Sequence, residues 1–137
     1  MYTMEMEVML SDTDATGQVY YARPFEWLEW CRVKWFQEKF GNFMEYAERT
    51  GITFFPSKAS VEYKKPVMFG DKLSVQMKSS EIKKASFNLN YTVKRGDVIV
   101  LAACILMVCF DRKNNRFGRL EGEILEHIAA LSEKQGE

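Results

Sequence analysis

Hydrophobic and polar positions along the chain pass from mainly helical to strand spacing near Gly51. Before that point, residues 4–10, MEMEVML, alternate in part and predict a first strand, which the polar cluster Ser11 to Gly17 ends. From Ala22 to Phe40 the chain is rich in helix formers, and Pro24 suits the first helical position, where its missing N–H costs nothing. At 100° per residue Trp27, Leu28, Cys31 and Trp35 share one flank of this helix. Phe25, Phe36 and Phe40 share another, with polar residues such as Arg32 and Lys39 between them. Two apolar flanks predict a helix with more than one packing partner. Gly41 and Asn42 stop it, and FMEYAERTG predicts a short second helix closed by Gly51.

Beyond Gly51 the period is that of strands. FFPSKASVEYKKP, DKLSVQMKSSEI, ASFNLNYTVKR and DVIVLAACILMVCFD predict four of them, with FGD and RGD as turns. The last is apolar almost without interruption, which predicts a place inside the sheet with both faces covered. GEILEHIAALSEK predicts a C-terminal amphipathic helix. The order strand, long helix, short helix, four strands, helix implies an α+β fold, one antiparallel sheet of five strands wrapped around one long helix. The 137 residues suit one domain spanning 1–137, with no linker, repeat or low-complexity segment.

Composition narrows the function. Nineteen basic and 19 acidic residues cancel and 47% of positions are apolar, so the chain is neither disordered nor shaped to grip a polyanion, and nucleic acid is not an expected partner. MYTMEMEVML lacks a basic stretch followed by an apolar core, and nothing elsewhere supplies the roughly 20 apolar residues of a membrane span, so a cytoplasmic location is expected. Cys31, Cys104 and Cys109 are odd in number and form no C-x-x-C pair, which favours reduced packing residues. The sole histidine, His127, falls in the terminal helix among Ile124, Ile128 and Leu131, away from any Ser or Cys pairing. No phosphate-binding glycine loop and no His–Cys metal set is present, so the catalytic candidate left is a carboxylate.

SDTDATGQVYY, Ser11 to Tyr21, is where that carboxylate would stand. Asp, Thr and Gly populate turns for local reasons, and the stretch can be read as a turn alone. The helix that follows gives the second reading, because its first N–H groups are unpaired and can meet a carbonyl oxygen gaining negative charge. An acid beside such donors suits acyl transfer. Asp14 reaches that helix end if Gly17 lets the chain fold back.

DTDATGQVYYARPFEWLEWCR resembles the hotdog-fold acyl-CoA thioesterases of the 4-hydroxybenzoyl-CoA thioesterase type, including those associated with the Tol-Pal system, and the likeness runs from about Glu5 to the C-terminal helix. In that family a D-x-D-x-x-G-x-V-x-Y pattern precedes the central helix and its second Asp is catalytic, which by position is Asp14. The resemblance implies that the Tyr21 N–H, on the helix N-terminus, polarises the thioester carbonyl, and it places Gly17 at the substrate turn. EIKKASF is similar to the family's basic pair, which implies that Lys83 and Lys84 contact coenzyme A phosphates. Many Tol-Pal-type members carry His where this chain has Tyr21. GQVYY and CR also resemble the enediyne polyketide thioesterases, whose helix arginine matches Arg32; those enzymes lack the Asp at position 14. Arg32 is thus a catalytic candidate or a structural ion-pair partner of the loop. Glu26 and Glu29 are alternative acids of the kind other hotdog branches use, without the HGG context of one such branch.

The implied activity is hydrolysis of an acyl-coenzyme A thioester to free acid and thiol, with Asp14 as nucleophile or as general base for a water, and with no metal or redox cofactor. Rival readings are a noncatalytic acyl-binding or assembly module and an acyl-carrier-protein thioesterase of the polyketide type. Dehydratase chemistry would need a histidine that the chain has in the wrong segment. Trp27, Phe54 and Phe55 are the aromatics expected to line the acyl pocket. A five-stranded sheet cannot enclose a long helix and also shield both edges, so a homodimer or homotetramer is expected, with Asp14 of one chain near Thr53 to Ser60 of its partner.

Overall fold

The structure, a computed structural model, describes residues 1–132. In chain order the elements are β1 (Tyr2–Glu7), α1 (Pro24–Phe40), α2 (Phe43–Thr50), β2 (Ile52–Tyr63), β3 (Lys72–Ser80), β4 (Ser86–Arg95), β5 (Val98–Asp111), β6 (Arg116–Phe117) and α3 (Gly122–Ala130). Every strand pairing is antiparallel, in the order β1-β3-β4-β5-β2, with the two-residue β6 against β5. No helix among the described residues is long and apolar enough to cross a membrane.

Strict alternation builds the core. Leu73, Val75 and Met77 on β3, Phe87, Leu89, Tyr91 and Val93 on β4, and Leu101, Ile105, Met107 and Cys109 on β5 turn to one face and join Trp27, Leu28, Cys31 and Trp35 of α1. The opposite face differs from expectation. Ala102, Cys104, Leu106 and Val108 of β5 remain half-exposed because no described element packs over them. A continuous apolar run is thus covered on one face only.

The second flank of α1 has its own partners. Phe36 meets Phe43 and Tyr46 of α2 with ring centroids 5.4 and 5.1 Å apart, and Phe40 meets His127 of α3 edge-on at 5.0 Å. His127 Nε2 is also 3.7 Å from Glu123. Phe25, expected on that flank, stays exposed because it precedes the level of α2 and α3. The expected end of α3, Glu133 and Lys134, lies outside the described residues.

Two boundaries are set by local bonds. β1 ends at Glu7 because the Asp12 carboxylate accepts the Met9 N–H at 2.8 Å and draws Leu10–Asp12 into a 3-10 turn, leaving Met9 and Leu10 exposed. α1 begins at Pro24, the first helical position expected of it, with residues 21–23 forming a separate turn in which the Arg23 N–H donates to the Tyr20 carbonyl at 2.9 Å.

Candidate active site

Residues 12 to 20 fold as a small hairpin in which the two aspartates divide their work. Asp12 is buried, and besides holding the Met9 N–H it lies 3.6 Å from the Arg23 Nε. Arg23 in turn bonds Glu26 at 2.5 Å and the Ser11 carbonyl at 3.0 Å. The loop's ion pair is therefore made by Arg23. Arg32 makes none: among the described residues the hydrogen bond of its guanidinium goes to the Met107 sulfur, at 3.6 Å.

The hairpin turns at Gly17. Thr13 bridges Val19, the Asp14 N–H donates to the Gln18 carbonyl at 2.8 Å, and the Gly17 N–H donates to the Asp14 carbonyl at 3.1 Å. Gly17 adopts φ +81°, a left-handed conformation that L side chains rarely take, while a Cβ there would meet nothing closer than 3.8 Å. Conformation, not space, requires the glycine. The Phe69 N–H caps the Gly17 carbonyl at 3.0 Å and the Val19 N–H reaches Val67 at 2.8 Å, which pins the hairpin to the segment before β3.

Asp14 sits on this hairpin facing solvent. Its Oδ1 accepts from the Thr16 hydroxyl at 2.5 Å and the Thr16 N–H at 2.8 Å, an Asx turn. The Thr16 hydroxyl, followed by the Thr16 N–H, holds the Asp14 carboxyl below the ordinary carboxylate range. Its Oδ2 has no partner among the described residues. The turn reading and the acid reading thus describe one geometry, with one oxygen spent on the turn and the other left free.

Tyr21 stands in the turn ahead of α1 and not on the helix itself, which corrects its expected position. Its neighbours are tied on both sides, the Tyr20 N–H to the Asp12 carbonyl and the Arg23 N–H to the Tyr20 carbonyl, each at 2.9 Å. The Tyr21 N–H itself donates to no described residue, and the Tyr21 carbonyl accepts the Tyr63 hydroxyl from β2. Gln18, Tyr21, Tyr63, Val67 and Leu101 line a crevice of about 310 Å³ at this end of the sheet. Asp14 adjoins it through Gln18. Tyr63 was not legible as a site residue, since nothing in EYKKP separates it from any outward strand tyrosine.

The other expected site residues lie elsewhere. Arg32 lines a narrow slot with Phe36, Phe54 and Phe87, away from the crevice. Next to it the Tyr91 hydroxyl is buried without a partner among the described residues, and burial pushes its phenol up while Arg32 pulls the other way. Trp27, Phe54 and Phe55 do not share a pocket: Trp27 faces β1, Phe54 faces the slot, and Phe55 lies on the outer face 6.3 Å from Phe110. Cys31 and Cys109 are pushed up to about 12 and about 11 by burial, which keeps both as thiols in the packing role expected of them.

Lys83 and Lys84 occupy the β3–β4 turn, at the far end of the sheet from Tyr21. Ser86 at that turn and Val93 beside Leu101 are seven residues apart on β4, about 23 Å at roughly 3.3 Å per residue. The two lysines also diverge. Lys83 lines a groove on the outer face of the sheet, whereas Lys84 does not and uses its carbonyl to accept the Leu120 N–H at 2.7 Å.

A family model described as the thioesterase-like superfamily matches residues 8–128. A 1,4-dihydroxy-2-naphthoyl-CoA hydrolase from Nostoc punctiforme is 26% identical over 127 residues, 93% of this chain and 86% of that protein. The acyl-CoA thioesterase YbgC of Haemophilus influenzae is 24% identical over 110 residues, 80% of this chain and 81% of that protein. The solved structure of a 1,4-dihydroxy-2-naphthoyl-CoA thioesterase from Synechocystis matches the fold with a TM-score of 0.84 at 20% identity, covering 95% of this chain and 96% of that one. With the sheet order, the central helix and the match to residues 8–128 in agreement, the chain belongs to the thioesterase-like superfamily of thioester hydrolases, on the hotdog fold.

Proposed function

We propose that the protein hydrolyses an acyl-coenzyme A thioester, with Asp14 as the catalytic carboxylate and the Tyr21 N–H as the donor to the carbonyl oxygen. The observation that carries this reading is a solvent-facing carboxylate, one oxygen anchored by Thr16, on the hairpin that leads into Tyr21, whose backbone N–H donates to no described residue. As nucleophile, Asp14 adds to the thioester carbon and expels the CoA thiolate, and water then cleaves the mixed anhydride to free acid and restored carboxylate. As general base, it takes a proton from the water that attacks the same carbon. In both routes the negative oxygen is met by the Tyr21 N–H and by the positive end of the α1 dipole. The hydroxyaryl substrates named for the Nostoc and Synechocystis proteins make hydroxyaroyl-CoA the first acyl class to try.

A single chain leaves crevice and lysine turn about 23 Å apart, and pairing of two chains brings them together. β2 is an edge strand, exposed from Phe55 to Ser60, with its final residue Tyr63 in the crevice. Antiparallel pairing of two β2 edges about a two-fold axis brings the Phe55 end of one chain level with the Tyr63 end of the other. That end carries the β3–β4 turn, so the partner supplies the lysines for the CoA phosphates. Thiol release from a panel of hydroxyaroyl-, aroyl- and fatty acyl-CoA esters, with acyl-carrier-protein esters as comparison, tests the activity. No release from any of them overturns it.

A further inference from the structure

β1 and β2 are the two edges of the sheet, and the dimer proposed above uses only β2. The Val8 N–H donates to the Asp71 carbonyl at 2.9 Å, one step beyond the pair Glu7 and Lys72 in the same register, so Val8 and the alternate residues before it bond β3. Thr3, Glu5 and Glu7 therefore turn their backbone N–H and C=O groups to the open edge, where no described strand receives them. That edge lines a groove of about 420 Å³ whose other wall is α1, with Trp30 and Glu26, and to which Met6, Met9 and Asp12 also contribute. Trp30 is 58% exposed and Met9 62%, although the Asp12 carboxylate holds the turn that carries Met9. Apolar surface kept in place beside free strand groups suits a docked chain.

Charge selects the kind of chain. Asp12 and Glu26 are taken up by Arg23, Glu7 stands opposite Lys72 on β3 and Glu5 opposite Ser74. Neither Glu5 nor Glu7 forms an ion pair among the described residues, and no basic side chain lines the groove. A second copy of β1, paired about a two-fold axis at Glu5 or Met6, would set these acids against one another, which is unfavourable. A strand bearing basic side chains meets them favourably.

We propose that the open edge of β1 docks an extended segment of a partner protein in which apolar and basic side chains alternate. The segment adds to the sheet as a strand, its backbone paired with Thr3, Glu5 and Glu7. Because strand side chains alternate faces, its apolar ones lie on Trp30, Met6 and Met9 while its basic ones reach Glu5 and Glu7. The site stands apart from the proposed chemistry, since the groove shares no residue with the crevice at Tyr21.

The probe is a blocked peptide of alternating lysine and leucine, matched to the six residues of β1 and titrated calorimetrically into the full-length protein at low and raised salt. One control peptide carries glutamate in place of lysine, and another carries N-methyl groups on the alternate amides that would pair with β1. Both controls bind at least about tenfold more weakly than the lysine peptide. At saturation with the lysine peptide, the Thr3, Glu5 and Glu7 N–H groups exchange with deuterium about tenfold more slowly than in the free protein. The double variant Glu5→Gln, Glu7→Gln weakens the peptide about tenfold and flattens its salt dependence, and Trp30→Ala weakens it about tenfold with the salt dependence kept. All three side chains are exposed, so the variants keep the wild-type melting temperature. No binding of the lysine peptide, equal binding of either control, undiminished binding in the variants, or unchanged exchange at the three N–H groups overturns the proposal.

Discussion

The Tyr63 hydroxyl donates to the Tyr21 carbonyl, joining the end of β2 to the turn that enters α1. It is the side-chain bond that holds Tyr21 from outside its own loop, and it fixes the peptide that follows the proposed oxyanion donor. Removing it leaves the donor present but free to rotate. Tyr63→Phe is expected to lower kcat about tenfold, roughly 1.4 kcal/mol in the barrier, with KM and melting temperature nearly unchanged. An unaltered kcat in steady-state assays removes Tyr63 from the positioning role.

Asp12 and Asp14 separate stability from chemistry. Asp14→Asn keeps the size of the side chain and an acceptor for Thr16 but loses the carboxylate, so turnover should fall by about a thousandfold or more while the melting temperature barely moves. Asp12→Ala removes a buried acceptor of the Met9 N–H and the partner of Arg23, costing about 1–2 kcal/mol of stability with a smaller effect on kcat. Thermal melts run beside the kinetics check both. Equal turnover of Asp14→Asn and wild type sinks the carboxylate mechanism.

The Asp14 pKa is lowered first by the Thr16 hydroxyl and then by the Thr16 N–H. A carboxylate that acts deprotonated loses activity as pH falls through its pKa, so the acid limb of kcat/KM should lie below the ordinary carboxylate value. Thr16→Val deletes the hydroxyl and keeps the N–H. The folded-state pKa then rises toward the ordinary value, and the acid limb moves to higher pH. A limb that stays in place in the pH–rate profile means that another group controls it.

Pairing through β2 predicts at least a dimer at micromolar concentration, measured by sedimentation or light scattering. A fully active monomer refutes it. Mixing Asp14→Asn chains with chains of the double variant Lys83→Ala, Lys84→Ala should recover about a quarter of the wild-type rate at substrate well below KM and with complete subunit exchange. In a mixed dimer one shared site holds both defects and the other holds none, and mixed dimers are about half of a random population. No recovery, with subunit exchange confirmed, means that each chain carries a complete site.

Much of this architecture was legible along the chain. The 3.6-residue period placed α1, strand patterning placed β2 to β4 and a continuous apolar run β5, and Asp, Thr and Gly marked the turn, because periodicity, proline and turn chemistry act over a few neighbouring residues. The spacing of Asp14 and Thr16 already contained the Asx turn, although it was not singled out. What only the tertiary structure decided are relations between residues distant in sequence. Arg23 and not Arg32 pairs with the loop, Tyr63 reaches Tyr21 across 42 positions, and Lys83 parts from its neighbour Lys84 to share a groove with Lys58. A bulge in β2, which skips Ser57 between Pro56 and Lys58, shows the reason most directly. One skipped residue, set by how β2 seats against β5, inverts which face every later side chain of that strand takes, and no local pattern in FFPSKAS encodes the partner that imposes it.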